Sequence, residues 1–416
     1  MTPVVVVIGT LDTKGVEHEY LRQRVAAAGC ETLLIDAGVM GPRGATPDID
    51  HIEVAAAGGA DAAQLAAAGD RGAAVAAMAR GAAEVVSRLF AAGRLHGIVS
   101  LGGSGNASIA AAAMRTLPIG VPKLIVSTMA AGDTRPYVGV SDVTMMYSVV
   151  DIAGINSLSE RILANAANAI AAMARGYAEF APHQAGRPLI VASMFGVTTP
   201  AVTRAREQLE AHGYEVLVFH ATGAGGRSME ALIDGGFVVG SLDITTTEWA
   251  DELIGGILGA GPERLDAAGR RGVPQVVSLG ALDMVNFGPR ETVPHQFAGR
   301  NLYVHNATVT LMRTTPEECA ELGRVIGRKL SAATGPTALF IPLRGISMIA
   351  TEGAPFHDAS ADAALFEAVR TSIGPNVELH ELDADINDPS FADAMAERLH
   401  AMILEGGSQE PGAGSK

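Results

Sequence analysis

Short aliphatic runs alternate along the chain with longer segments in which apolar residues recur at helical spacing. The first run, PVVVVIG at 3–9, is continuously apolar, as is typical of parallel strands buried on both faces. In the first half the pattern predicts strands at 3–9, 31–36, 97–101 and 122–127, and helices at 14–28, 70–92, 105–116 and 156–175. This alternation indicates an α/β fold with a doubly wound parallel sheet.

A second α/β series follows a break in both periodicities at 176–188. Its predicted strands lie at 188–193, 214–220, 237–241, 275–280, 337–342 and 377–381, and its predicted helices at 200–212, 226–234, 246–258, 316–332, 360–373 and 390–404. We therefore expect two Rossmann-like domains that face a shared cleft. The boundaries are placed at 1–178 for the first domain, 179–187 for a linker, 188–405 for the second domain and 406–416 for a disordered tail.

The two halves begin with similar patterns. Residues 4–38 align without gaps to residues 188–222, so both halves are expected to open with the same β-α-β unit. The last helix of the first half is predicted to begin with a capping box formed by Ser157 and Glu160.

The composition narrows the class of protein and its partners. Of the 416 residues, 48% are hydrophobic but only 4% are aromatic, and 49 are glycine, which favours helices packed closely on a sheet. The formal net charge of −15 disfavours nucleic acid and anionic membranes as partners. Cys30 and Cys319 lie far apart, so we expect no disulfide and a cytoplasmic location. No apolar stretch approaches the roughly 20 residues that a membrane span requires.

The strongest functional signal is the segment GIVSLGGSGNAS at 97–108. A predicted strand ends there in a glycine-rich turn that leads directly into a helix, so backbone N–H groups and the helix dipole can hold a phosphate. The segment is neither a dinucleotide fingerprint, because Ser108 replaces the third glycine, nor a P-loop, because no Lys-Ser/Thr pair closes it. A tight βα turn without a ligand is an equally good interpretation of the pattern.

Polar residues follow every predicted strand of the first half. In GTLDTKG at 9–15, Lys14 is a candidate for phosphate and Asp12 for Mg²⁺, although a capped helix start explains the same residues. Asp36 ends the second strand, the usual place of a ribose-binding acid. At Arg71 the pattern favours a local salt bridge to Asp70 over a ligand contact, and the residue is a further candidate on that condition. STMAAGDT at 127–134 adds Ser127, Thr128 and Asp133.

The second half is richer in groups that transfer protons. HATGAGGRSME at 220–230 is similar to a second anion loop with His220 at its mouth, and DITTTE at 243–248 follows the next strand, where an elaborate N-cap is the alternative. The segment 281–315 shows little periodicity over some thirty-five residues, and such loops are uncommon unless they form a site or a lid. Its histidines, arginines and Asp283 suggest a substrate that bears a carboxylate or phosphate.

The assembled motifs resemble an uncharacterised family that shares the ATP-binding domain of the tomato mosaic virus resistance protein. The motifs that carry the resemblance are GTLDTKG (9–15), LGGSGN (101–106), STMAAGDT (127–134), MFGVTTP (194–200), HATGAGGRSME (220–230), LDITTTE (242–248), SLGALDMVNFG (278–288) and HNATVTLMRTT (305–315). The resemblance implies two α/β domains, a nucleotide in the first domain and self-association as a homodimer or higher oligomer. It also leaves room for a separate TIM-barrel partner, because the plant protein carries an added TIM-barrel region.

The first functional hypothesis is an ATP-binding metabolic enzyme, with Mg²⁺, that acts on a small acidic or phosphorylated substrate in the cleft. The nucleotide contacts are predicted to be Thr10, Lys14, Asp36, Arg71, Gly102, Gly103, Ser104, Gly105, Ser127, Thr128 and Asp133, with Asp12 as metal ligand. The predicted catalytic residues are His220, Asp243 and His305, and the predicted substrate contacts are Arg227, Glu230, Thr246, Glu248, Asp283, Asn306, Arg313 and Arg344. The alternatives are a non-catalytic nucleotide sensor and a sugar-acid enzyme that uses no ATP.

Overall fold

The computed structural model describes residues 2–180 and 186–407. The chain divides into two compact units, Met1–His183 and Gln184–Lys416. Each unit contains its own parallel β-sheet with helices packed on both faces, which confirms the predicted doubly wound α/β class. No helix among the described residues is both long enough and apolar enough to cross a membrane.

The N-terminal unit has five strands in the order β2-β1-β3-β4-β5, and every pair is parallel. Its elements are β1 (Val4–Gly9), α1 (Leu11–Ala27), β2 (Glu31–Asp36), α2 (His51–Ala57), α3 (Ala62–Ala68), α4 (Arg71–Ala91), β3 (Gly97–Gly102), α5 (Ser104–Met114), β4 (Lys123–Ser127), α6 (Arg135–Val138), β5 (Thr144–Tyr147) and α7 (Ser157–Glu179).

Strand β1 is buried on both faces, as its continuous apolar run predicts. Val6 and Ile8 pack with α2, α4 and α5, whereas Val5 and Val7 pack with α1 and α7. The chain leaves β1 towards β2 on one side and then crosses to β3 on the other. The strand order therefore reverses between β1 and β3, which opens a crevice beyond their carboxyl ends.

The C-terminal unit has six parallel strands in the order β14-β13-β9-β8-β6-β7. Its elements are β6 (Leu189–Met194), α8 (Thr199–Ala211), β7 (Glu215–His220), α9 (Ala224–Asp234), β8 (Gly240–Thr245), α10 (Glu248–Ile254), α11 (Ala267–Arg271), β9 (Gln275–Gly280), β10 (Met284–Phe287), β11 (Leu302–Asn306), β12 (Val309–Arg313), α12 (Pro316–Ser331), β13 (Thr337–Pro342), α13 (Ala359–Ser372), β14 (Val377–Leu382) and α14 (Pro389–Gly407). Both units thus open with the same β-α-β arrangement, as the internal alignment predicts.

The prediction that 281–315 is one long irregular loop is wrong. Strands β10, β12 and β11 form a three-stranded antiparallel sheet in that order. Its apolar residues Val285, Phe287 and Met312 join the core beneath α12 and α13. Strands of four or five residues carry too few alternations for a period of two to stand out in the sequence.

Three predicted boundaries also change. The cap of α7 is Asn156, whose side chain accepts from the amides of Leu158 and Ser159, while the Ser159 hydroxyl accepts from the Asn156 amide. The capping box predicted at Ser157 and Glu160 therefore lies one residue too late. Helix α7 continues to Glu179 and so occupies the start of the predicted linker, of which 181–185 lie outside the described residues. Helix α14 runs through the first two residues of the predicted tail, and 408–416 lie outside the described residues.

A buried arginine holds the loops at the carboxyl ends of β7 and β8 together. Arg264 is 1% exposed, and its guanidinium contacts Asp243 at 2.5 Å, Glu248 at 2.7 Å and Glu230 at 3.2 Å. Burial by itself would lower the pKa of Arg264, but the attraction of these carboxylates raises it above its usual range. The cation therefore stays charged and compensates carboxylates that would otherwise be buried alone.

Replacing Arg264 by Leu is expected to destabilise the C-terminal unit by about 3–5 kcal/mol, because it leaves buried carboxylates unpaired. The single tryptophan, Trp249, donates its indole N–H to the Arg264 carbonyl at 3.1 Å, so its fluorescence reports on this region during a urea titration. The control is Arg270→Ala, which removes an exposed pair with Asp234 and is expected to cost about 0–1 kcal/mol. Equal urea midpoints for the two variants would contradict the role given to Arg264.

Candidate functional site

The N-terminal unit contains a cavity of about 400 Å³ at the crevice where the strand order reverses. Polar groups from the ends of β1 and β3 and from the start of α4 meet an apolar wall built by α3, α4 and α5. The lining residues are Thr10, Asp12, Thr13, Ala37, Gly38, Val39, Met40, Leu65, Ala66, Gly69, Asp70, Arg71, Ala74, Val75, Met78, Gly105, Asn106 and Ile109.

The side chain of Asn106 joins the ends of β1 and β3. Its Oδ1 accepts from the Thr10 amide at 2.9 Å, while its Nδ2 donates to the Ser100 hydroxyl at 2.8 Å and the Leu101 carbonyl at 2.7 Å. Ser100 in turn donates to the Ile8 carbonyl at 2.7 Å. Both N–H donors and one acceptor position of this side chain therefore hold the first turn of α5 against the ends of β1 and β3.

The glycine turn allows Asn106 to fold back in this way. Gly102 has a φ of +154°, and a Cβ there would lie 2.7 Å from the Cβ of Asn106. Both the conformation and the close approach require glycine at this position.

The first turn of α5 presents backbone amides that have no internal acceptor. Gly103 is the N-cap and offers no side chain to the helix. Within residues 2–180 and 186–407, no group accepts from the amides of Gly103, Ser104, Gly105 or Asn106. Such amides, together with the positive end of the helix dipole, suit an anion.

Arg71 stands beside these amides. A Cβ added to Gly105 would lie 3.5 Å from the Arg71 guanidinium, so the two residues adjoin. The predicted alternative, a salt bridge to Asp70, is wrong, because the Asp70 carboxylate accepts from the Ala73 amide at 3.0 Å and caps α4. Among the described residues, no partner forms an ion pair or a hydrogen bond with the Arg71 guanidinium.

Lys14 and Asp36, two predicted nucleotide contacts, do not line this cavity. The Lys14 ammonium donates to the Ile152 carbonyl, on the α1 and α7 side of the sheet. Asp36 is fully buried and accepts from the amides of Leu11 at 3.1 Å and Gly38 at 2.9 Å. Both side chains connect elements of the unit. The prediction that Lys14 and Asp36 contact the nucleotide is therefore corrected.

The three nucleotide contacts predicted after β4 lie outside the cavity lining. Ser127 is buried and accepts from the Met129 amide at 3.1 Å. Asp133 is exposed and pairs with Arg135, whose hydrogen bonds lower the pKa of Asp133 to about 2. Thr128 lies nearest to the glycine turn, since a Cβ on Gly103 would lie 3.9 Å from its hydroxyl. None of the three lines the cavity.

The second glycine loop, at 220–230, differs from the first because the protein supplies its own anion. The buried Glu248 carboxylate accepts from the amides of Gly223 at 2.6 Å and Gly226 at 3.0 Å. A Cβ on Gly226 would lie 2.1 Å from that carboxylate. Two amides of this loop therefore already bind a carboxylate of the protein, which contradicts the prediction that the loop is a second site for an external anion.

The predicted catalytic residues lie in three different settings. His220 is exposed at the end of β7 and stacks on Phe195 at 5.3 Å between ring centroids. Asp243 is 2% exposed and shared between Arg264 and the Ser193 hydroxyl, whereas His305 is exposed on β11. None of the three lines a described cavity, and their catalytic role stays a prediction.

Most predicted substrate contacts of the C-terminal unit are engaged within the fold. Thr246 donates to the Ser278 carbonyl, Asp283 accepts from Ser347, and Arg313 pairs with Asp362. Burial raises the pKa of Asp283 to about 6, and the positive charge of Arg313 limits the rise. These predicted contacts, with Glu230 and Glu248, connect loops of the unit and line none of the described cavities.

The remaining predicted substrate contacts lie near the surface. Arg227 donates to the Gly259 carbonyl, and Asn306 accepts from the Thr308 amide in the turn between β11 and β12. Arg344 pairs with Asp383 and lines a second cavity of about 600 Å³, beyond the end of β13.

Sequence reasoning missed two parts of the N-terminal cavity. The apolar wall includes Leu65, from the short helix α3, and Met78 and Ile109, which read as ordinary core positions. Asn106 is the last residue of the motif LGGSGN, and the sequence alone assigns it no role. The signal in the sequence is an amide side chain in the first turn of an apolar helix that directly follows a strand. Such a side chain often hydrogen-bonds to nearby backbone groups.

Both units match models of one family. Residues 3–179 match the N-terminal domain of the uncharacterised protein family UPF0261, and residues 187–403 match its C-terminal domain. A UPF0261 protein of Clostridium tetani is 54% identical over 405 residues, which cover 97% of this chain and 100% of the relative. Another, of Rhizobium meliloti, is 50% identical over 390 residues, covering 93% and 96%.

The tomato protein named in the resemblance is also a relative. The ToMV resistance protein Tm-1(GCR237) of Solanum lycopersicum is 42% identical over 332 residues, which cover 79% of this chain and 44% of that longer protein. Among solved structures, a UDP-N-acetylglucosamine 2-epimerase from Rickettsia bellii is 11% identical, covers 97% of this chain and 96% of its own, and has a TM-score of 0.24. A score this low carries no argument about the site.

Replacing Asn106 by Ala is expected to destabilise the N-terminal unit by about 1–3 kcal/mol, because the Thr10 amide and the Leu101 carbonyl lose their partner. Differential scanning calorimetry measures the shift in melting temperature. The control is Ser108→Ala, half a turn further along α5, where an exposed hydroxyl bonds only the Ser104 carbonyl and the expected change is within about 0.5 kcal/mol. The role given to Asn106 is contradicted if both variants melt together.

Proposed function

The chain belongs to the uncharacterised protein family UPF0261, and we propose that its N-terminal unit binds a nucleoside phosphate, with ATP as the first candidate. The single observation that carries this proposal is the pairing of open amides at Gly103–Asn106 with the unpartnered cation of Arg71. The phosphates occupy the first turn of α5 and contact Arg71.

The donors grouped at this position support an anion. The Arg71 guanidinium adjoins Gly105 in the same turn whose amides have no acceptor among the described residues. Arg guanidinium and main-chain amides are also the donors that bind phosphate most strongly. A helix start without a side-chain cap is stabilised when an anionic ligand takes the place of the cap.

The rest of the cavity suits the base of a nucleotide. A volume of about 400 Å³ lies in the range of small-molecule sites, which are largely apolar with a few polar groups that orient the ligand. Here Leu65, Val75, Met78 and Ile109 provide the apolar surface. The location also agrees with the rule that open α/β sheets bind ligands where the strand order reverses.

The magnesium in this proposal accompanies the nucleotide. Across the described residues, no group of three or more His, Cys, Asp or Glu side chains could hold a metal ion. Magnesium needs few protein ligands when phosphates and water complete its shell, so it enters with ATP.

We further propose that the chain is an enzyme that acts on a small acidic substrate, for which His220, Asp243 and His305 of the C-terminal unit stay the predicted catalytic residues. A non-catalytic nucleotide-binding module is the second candidate, and one observation favours it. Asp243, Glu248 and Arg313 are already engaged in buried contacts of the C-terminal unit. Steady release of ADP or phosphate with candidate acids would favour the enzyme, and binding without turnover would favour the module.

Isothermal titration of the whole chain with Mg-ATP tests the proposal. Arg71→Ala is expected to weaken binding about 10- to 100-fold, because a charge-assisted hydrogen bond is worth roughly 1.5–3 kcal/mol. The matched control is Arg80→Ala on the same helix, which removes an exposed arginine bonded only to the Ala76 carbonyl and should leave Kd unchanged. No heat of binding with wild-type protein, or equal Kd values for the two variants, would contradict this site.

A further inference from the structure

We infer that Asp12 recognises the sugar of the bound nucleotide, so that the site selects ligands with free ribose 2′ and 3′ hydroxyls. This inference rests on the proposed function and adds the group that determines sugar specificity. It reassigns Asp12 from the metal ligand predicted from the sequence to an acceptor for hydroxyl groups.

Asp12 lies at the cavity wall with one carboxylate oxygen engaged and the other available. The residue lies in the first turn of α1, lines the cavity and is 8% exposed. Its Oδ2 accepts from the amides of Val39 at 3.1 Å and Met40 at 3.3 Å, after β2. No described residue donates to its Oδ1. One carboxylate oxygen is therefore fixed by the backbone, and the other is available at the cavity wall.

Gly38 fixes the direction of this carboxylate. A Cβ on Gly38 would lie 2.7 Å from Cγ of Asp12 and 2.8–2.9 Å from its two oxygens. The backbone after β2 therefore packs directly against the carboxyl group, and the amides of Val39 and Met40 hold one of its oxygens. A rigid acceptor discriminates between ligands better than a mobile one, because little further ordering is required on binding.

Two groups in the cavity lining call for different ligand groups. Arg71 and Gly105 lie on the β3 side and suit an anion, whereas Asp12 lies on the β2 side beside Val39 and Met40. An ionised carboxylate only accepts hydrogen bonds and repels phosphate. A ligand that carries both an anion and hydroxyl donors satisfies both groups, and a ribose phosphate carries both.

Asp36, the expected ribose acid at the end of β2, cannot fill this role. Its Oδ1 is used by the amides of Leu11 and Gly38, and its Oδ2 lies buried 3.6 Å from Nδ1 of His51. Asp12 is the acid on the same side of the crevice that reaches the cavity.

The experiment compares ATP with 2′,3′-dideoxy-ATP by isothermal titration, using wild-type protein, Asp12→Asn and, as control, Glu84→Gln on the exposed face of α4. Wild type and the control are expected to bind ATP about 10- to 100-fold more tightly than the dideoxy analogue, because hydrogen bonds to a charged group are lost. Asp12→Asn is expected to bind the two nucleotides within about threefold of each other. Repeating the titrations in EDTA should leave these ratios in place.

The outcomes separate this inference from the proposed function. Equal affinity of the wild type for both nucleotides, a result that needs no variant, overturns the inference but leaves nucleotide binding intact. Discrimination that persists in Asp12→Asn, or that disappears in EDTA, also overturns it, because another group or a magnesium ion would then read the sugar. Failure of the wild type to bind either nucleotide overturns the proposed function itself.

Discussion

The candidate site depends on one asparagine side chain that joins two strand ends. Asn106 binds the Thr10 amide after β1 and the Leu101 carbonyl at the end of β3. It can do so only because Gly102 leaves room for it. With the side chain turned inward, the first turn of α5 has no side-chain cap, and Gly105 and Asn106 of this turn line the cavity. The binding capacity of the turn thus follows from a constraint that also holds the centre of the sheet together.

The two glycine loops show that a glycine-rich turn before a helix does not by itself define a ligand site. In the C-terminal unit, Glu248 fills the turn at Gly223–Gly226 and is neutralised by Arg264. In the N-terminal unit no carboxylate takes that place among the described residues, and Arg71 is the neighbouring cation. One helix start already binds a carboxylate of the protein, while the other retains donors for an external anion.

The fold class could be predicted from the sequence because its strands are continuously apolar and its helices strongly periodic. The strand at 275–280 is predicted at its observed bounds for this reason. The three-stranded sheet at 284–313 could not be recognised, since its short strands gain their stability from packing beneath α12 and α13.

Side-chain partners could not be predicted either. The sequence could place Lys14 and Asp36 near a strand end but could not show that the Ile152 carbonyl and the Leu11 amide bind them. Motif position identifies the turn, whereas the direction of each polar side chain depends on tertiary packing.

The central claim is that the first turn of α5 holds a phosphate of the bound nucleotide. A crystal structure of the chain grown with Mg-ATP tests this most directly. The account predicts phosphate oxygens within about 2.7–3.2 Å of the Ser104 and Gly105 amide nitrogens, with the Arg71 guanidinium turned onto the same phosphate. A structure with the nucleotide bound elsewhere on the chain, or with these amides bonded to protein carbonyls, would contradict it.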